Sequence, residues 1–167
     1  LCLQGPVTGL TDSPFWRLIW RCWAPANAKF FLWLASMDRC RTAERHARHG
    51  LPHDPHCKFC RQELETIDHL LVQRAFSRIT WHEILSWCRL PASPPAASTN
   101  FCARWSATAN ATLTSLRKGA NSLIALVAWS LWKHRNTLVF DNIQSSSNDL
   151  LRTIHDEARL WARAGAK

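Results

Sequence analysis

Cys57-Lys58-Phe59-Cys60, followed by Glu65-Thr66-Ile67-Asp68-His69-Leu70-Leu71, is the stretch on which the reading of this chain turns. Two thiolates two residues apart grip one tetrahedral ion from a tight knuckle, and an imidazole nine residues later, borne by a helix, supplies a third donor. A closed site needs one more Cys or His shortly after His69. The position five residues on, as in C-x2-C…H-x4-C knuckles, holds Arg74. A guanidinium does not lose its proton near neutral pH and repels a nearby cation. Water, or His56 from the proline-rich loop before the knuckle, can stand in for the missing donor. Two readings compete with a metal site. One is a pair of incidental cysteines; the other is a redox C-x2-C, which wants a βαβ context that this sequence lacks.

Outward from the knuckle, the pattern is helical on both sides. Ser13-Pro14 opens a segment with Phe15, Leu18, Ile19 and Cys22 at helical spacing; serine at the cap and proline in the first turn are start signals. Pro25 starts a second helix with Phe30, Phe31, Trp33 and Leu34. Thr42 caps a polar helix that Gly50 stops. From Thr66, Ile67, Leu70, Leu71, Phe76, Ile79, Ile84 and Leu85 continue the helical pattern. Residues 91–99, Pro-Ala-Ser-Pro-Pro-Ala-Ala-Ser-Thr, have the composition of a linker. They set off an N-terminal unit, 14–90, from a C-terminal helical segment, 100–167. Beyond them, 101–118 reads as one weakly amphipathic helix, 121–138 as an apolar helix turning basic at Lys133-His134-Arg135, and the stretch after Ser145-Ser146-Ser147 as an amphipathic helix with Leu150, Leu151, Ile154 and Trp161. The expected class is all-α: a small helical domain with an irregular cysteine-knuckle loop, then a linker and two to three further helices.

Composition agrees. The chain has 167 residues, of which 47% are hydrophobic and 20% charged, enough for a buried core. Five glycines and no tyrosine argue against a hairpin-rich sheet. Seven scattered cysteines are not a secreted disulfide framework and point to a reducing, intracellular setting, nucleus or cytoplasm. No charged-then-apolar leader opens the chain. The longest apolar stretch, 123–132, is about half the length a bilayer requires, so no membrane partner is expected. Leu1 and a single methionine, Met37, suggest a piece of something longer.

The formal net charge is +9, which favours a polyanionic partner such as RNA or DNA. Arg41, Arg45 and Arg48 cluster around the third helix, and Lys133 and Arg135 on a later one; these are the candidate phosphate contacts. A solvated helix face, or cations at a helix C-terminus, explains the same residues without nucleic acid. Of the ten tryptophans, Trp20, Trp33, Trp81, Trp129 and Trp132 lie in apolar patterns and read as core, although exposed ones would stack on bases. Catalysis has little support. No adjacent Asp-Asp occurs, no spread of carboxylates suggests a nuclease, and no glycine-rich loop follows a nucleophile; no small-molecule substrate is expected.

Trp16-Arg17-Leu18-Ile19-Trp20, Pro25, Lys29-Phe30-Phe31-Leu32-Trp33, Thr42, Cys57-x2-Cys60, Glu65-Thr66, His69-Leu70-Leu71 and Trp81 together resemble the reverse-transcriptase zinc-binding domain of plant LINE-type (non-LTR) retrotransposons, over about residues 14–90. Leu131-Trp132-Lys133-His134-Arg135-Asn136 and Phe140 are similar to the basic segment that often follows it. The resemblance implies Zn2+ held by Cys57, Cys60 and His69, a fourth ligand where this chain has Arg74, contact with template RNA or target DNA, and a parent polyprotein containing a reverse transcriptase. The expected function is a non-catalytic accessory module with a degenerate zinc knuckle and nucleic-acid affinity. The alternative is a structural or protein-interaction helical module, a decayed transposon remnant.

Overall fold

The three- and four-residue spacing of apolar side chains becomes seven α-helices and one π-helical turn in the computed structural model, which describes residues 14–52, 54–90, 99–143 and 145–165. They are α1 (Pro14–Arg21), α2 (Ala26–Ser36), α3 (Ala43–Arg48), the π-turn (His69–Gln73), α4 (Ala75–Trp87), α5 (Phe101–Ala111), α6 (Arg117–Asp141) and α7 (Ser147–Arg163). The all-α expectation holds. Among the described residues the sole β-type pairing is an isolated antiparallel bridge, His56 to Leu64.

Local chemistry sets the helix ends. The Thr42 hydroxyl accepts from the Arg45 amide at 3.3 Å, and Gly50, at φ +75°, takes the left-handed conformation that ends α3. Asn100 caps α5, and Ser146 with Asp149 forms a reciprocal capping box on α7. Ser13 and most of the linker, 91–98, lie outside the described residues. The helix expected over 101–118 is two. Thr112 is extended, at ψ 138°, and Thr112-Leu113-Thr114-Ser115 supplies β-branched and hydroxyl residues that favour leaving the helix. Gly119 then lies in the first turn of α6 rather than ending a helix.

α6 is the axis of the structure. It packs against α1, α2, α4, α5, α7 and the π-turn, and thirteen of its residues are buried. One hydrophobic core draws Phe15 and Ile19 from α1, Phe31 and Leu32 from α2, Trp81, Ile84 and Leu85 from α4, and Phe101 and Trp105 from α5. Its remaining members include Ile124, Leu126 and Leu131 of α6 and Ile154 and Trp161 of α7. Residues on both sides of 91–98 therefore share this core. Each fully buried large side chain contributes about 1.5–3 kcal/mol relative to exposure. Trp20, expected in the core, is 47% exposed. Phe15, Ile19 and Cys22 fill the inward face of α1, and Trp20 falls on its flank.

A buried ion pair fixes α6 in register. Glu65 is fully buried and Arg135 nearly so. One carboxylate oxygen of Glu65 receives the Arg135 Nε–H at 3.2 Å and also an Nη2–H. The same oxygen accepts the Ala43 amide at the start of α3, at 2.9 Å. The third guanidinium nitrogen donates to the Asn136 side chain at 3.1 Å. Truncating one partner leaves the other charge uncompensated, so Glu65→Ala is expected to cost about 3–5 kcal/mol in urea unfolding. The double variant Glu65→Leu/Arg135→Met should lose clearly less than the sum of the two single replacements.

Candidate metal centre

The knuckle is built by backbone. The Cys57 amide donates to the Glu63 carbonyl at 2.9 Å, the Glu65 amide to Pro55 at 2.8 Å, and the Arg61 amide back to Cys57 at 2.8 Å. Arg61 closes the loop in the left-handed region at φ +56°. His69 is borne by the π-turn, in which the Arg74 amide reaches five residues back to the His69 carbonyl at 3.0 Å. α4 then satisfies the carbonyls of that turn. The Ser77 hydroxyl donates to Leu70 at 2.5 Å and the Trp81 indole N–H to Leu71 at 2.7 Å. The Thr66 hydroxyl receives the His69 amide at 3.0 Å. Packing against α4 thus helps to place His69.

Cys57, Cys60 and His69 converge. Their donor atoms all lie within 4.8 Å of one another, and Cys60 Sγ is 3.4 Å from His69 Nε2. Zinc–sulfur and zinc–nitrogen bonds of about 2.3 and 2.0 Å place tetrahedral donors about 3.5 Å apart. Three corners of a zinc site therefore fit. Cys57 is wholly buried and Cys60 half-buried, so solvent has limited access to the pair.

Arg74 makes the difference. Its side chain is buried beside the Cys57 thiol. The guanidinium carbon sits 4.1 Å from the Phe59 ring centre and 4.9 Å from that of Phe76. Burial pulls its pKa down, while Cys57, by its charge and by a hydrogen bond, and the charges of Cys60 and Glu65 oppose the shift. His134 of α6 stacks on the same two rings, 5.3 Å from Phe59 and 4.9 Å from Phe76. Phe59 and Phe76 thus form an aromatic cage against the cation, and His134, stacked on both rings, ties it to α6. The cage was not singled out from the sequence. Phe59 lies between the two cysteines, but its partners are 17 and 75 residues away and no local spacing announces them.

His56 does not join the three donors. It directly precedes Cys57 in extended backbone, so the two side chains alternate to opposite sides. Cys57 points inward, and the half-exposed His56 ring pairs with Asp54 at 2.7 Å. Of the expected phosphate contacts, Arg41 is exposed. Arg45 donates to the Asp38 carbonyl. Arg48 is bound to Glu44 at 2.5 Å and Asp38 at 3.0 Å. Lys133 pairs with Glu157 at 2.5 Å. Arg135 is the buried partner of Glu65 and presents nothing to solvent. Residues 133–135 are not a helix end either, since α6 continues to Asp141.

Residues 7–81, somewhat less than half of the chain, match the model of a family described as zinc-binding in reverse transcriptase. The matched segment contains the knuckle, His69 and Arg74. No curated protein and no solved structure matches the chain.

Two outcomes are expected. Replacing the guanidinium with a thiolate by Arg74→Cys closes the tetrahedron, and metal affinity then appears as folding stability. With free zinc a hundredfold above its dissociation constant this is worth about 2.7 kcal/mol, several degrees of melting temperature for a chain of this size. Chelator should lower the melting point of that variant by this amount and move the parent much less. Burial also holds the pKa of His134 down, against the Ser145 carbonyl and with help from Arg74. Its neutral form therefore stabilises the fold above the unfolded value near 6.5, and that contribution is lost as pH falls below it. In acid titrations of stability, His134→Phe should keep the stack and flatten the slope in this window.

Proposed function

We propose that this chain is a non-catalytic accessory module of a retrotransposon polyprotein, of the plant LINE (non-LTR) type, that carries a reverse transcriptase. It contacts RNA or DNA through its basic surface, in the nucleus or cytoplasm. The observation that carries this reading is the coincidence of the family match over 7–81 with three converging donors and a buried cation next to them. Zinc bound to Cys57, Cys60 and His69 would cross-link the knuckle to the π-turn. With Arg74 at the fourth position the ion is held weakly or not at all, and the aromatic cage takes over part of its structural task. The absence of an Asp-Asp pair from the sequence supports a role beside the polymerase rather than within its chemistry.

A second reading, a structural or protein-interaction module without nucleic-acid affinity, has its own support. The ion pairs of Arg48, Lys133 and Arg135 neutralise three of the five cations picked as phosphate contacts. Salt dependence separates the readings. Anisotropy of labelled RNA and DNA should show affinity falling steeply with added salt. Replacing Arg41, Arg45 and Arg48 together with glutamine should weaken both nucleic acids about equally and flatten the logarithmic salt slope by about 0.7–0.9 per lost contact. Salt-independent affinity, or none at low salt, would establish the second reading.

A further inference from the structure

α1 turns two stripes of side chains toward solvent. At about 100° per residue, Phe15, Ile19 and Cys22 lie on its buried side, Trp16 and Trp20 lie together on one flank, and Arg17 and Arg21 lie together beyond them. Trp16 is 41% exposed and Trp20 47%, and both arginines are exposed. α2 extends this surface. The Lys29 ammonium donates to the Trp20 carbonyl at 3.2 Å, bringing its charge beside the second tryptophan. Phe30, the next residue, is 55% exposed. No acidic residue occurs from Pro14 to Met37. Exposed indole faces beside three cations, with no acid in the segment, are the pairing that single-strand binders use: a positive track for the phosphates and π-surfaces for the bases.

We propose that α1 and the first turn of α2 form a docking surface for single-stranded nucleic acid. Bases stack on Trp16 and Trp20, while Arg17, Arg21 and Lys29 hold the adjoining phosphates. The inference rests on the nucleic-acid reading above and names its surface, one separate from α3. A single strand is the fitting partner because its base faces are open, whereas a duplex hides them in its own stack. Positive charge complements a polyanion, and stacking tolerates any base sequence.

The test uses the 167-residue chain and two fluorescein-labelled probes at equal salt, a 20-nucleotide oligouridine and a 20-base-pair RNA duplex. Trp16→Ala and Trp20→Ala, compared at a temperature where both variants are folded by circular dichroism, should each weaken oligouridine binding about tenfold and leave duplex binding nearly unchanged. Arg17→Gln/Arg21→Gln should flatten the single-strand salt slope by about 0.7 per lost phosphate contact. If the parent binds oligouridine and the tryptophan variants bind it equally, the surface assignment falls while the nucleic-acid reading stands. Equal losses for both probes would exclude stacking as the mode. If the parent binds neither probe, both readings fall. Self-association of the parent that the tryptophan variants abolish in sedimentation would overturn the assignment in favour of an interface between two copies.

Discussion

The carboxylate of Glu65 is the constraint on which this architecture hangs. An ionised group at such depth is strongly unfavourable unless its partners are in place. The described partners of its Oε1 come from two distant elements, the first amide of α3 and the guanidinium of Arg135 on α6. Apolar packing along α6 specifies register less sharply than directed polar contacts do. The ion pair places α6 against the chain that leaves the knuckle, and thereby sets the position at which His134, one residue earlier, meets Phe59 and Phe76. The helix bundle and the knuckle are therefore one problem in register.

Much of this was legible in the residues, for a physical reason. Caps act over three or four positions, so Thr42 and Ser146 announced their helices. A C-x2-C knuckle and a histidine at fixed spacing predict their own convergence, because backbone hydrogen bonds close the loop locally. What the sequence hid depends on partners far along the chain. Arg135 looks like any surface cation until Glu65 is seen opposite it. Trp20 fits an apolar stripe until Phe15 and Ile19 prove sufficient for the short α1. The division of 101–118 turns on a few weak helix formers whose preference only the packing of α5 against α6 resolves.

Arg74 puts a different kind of cation beside the three donors. A divalent ion binds through directional bonds at fixed lengths. A guanidinium is a flat, delocalised cation that aromatic faces stabilise without such demands. The π-turn beside the three donors has hydrogen bonds of its own, from Ser77, Trp81 and Thr66. The cage converts a coordination problem into a packing one.

The seventy residues between Glu65 and Arg135 also impose a clock. A ribosome adding about 5–20 residues per second needs about 4–14 s to deliver the second charge after the first. For most of that interval, from residue 81 onward, the nascent chain carries the whole of the family-matched segment, yet it lacks the helix that covers Phe31 and Leu32 and neutralises Glu65. The amino-terminal helices then expose an apolar seam and an unmatched carboxylate, the kind of surface that chaperones engage. Assembly is governed from the carboxyl side. Synthesis must pass the middle of α6 before the earlier half of the chain can settle.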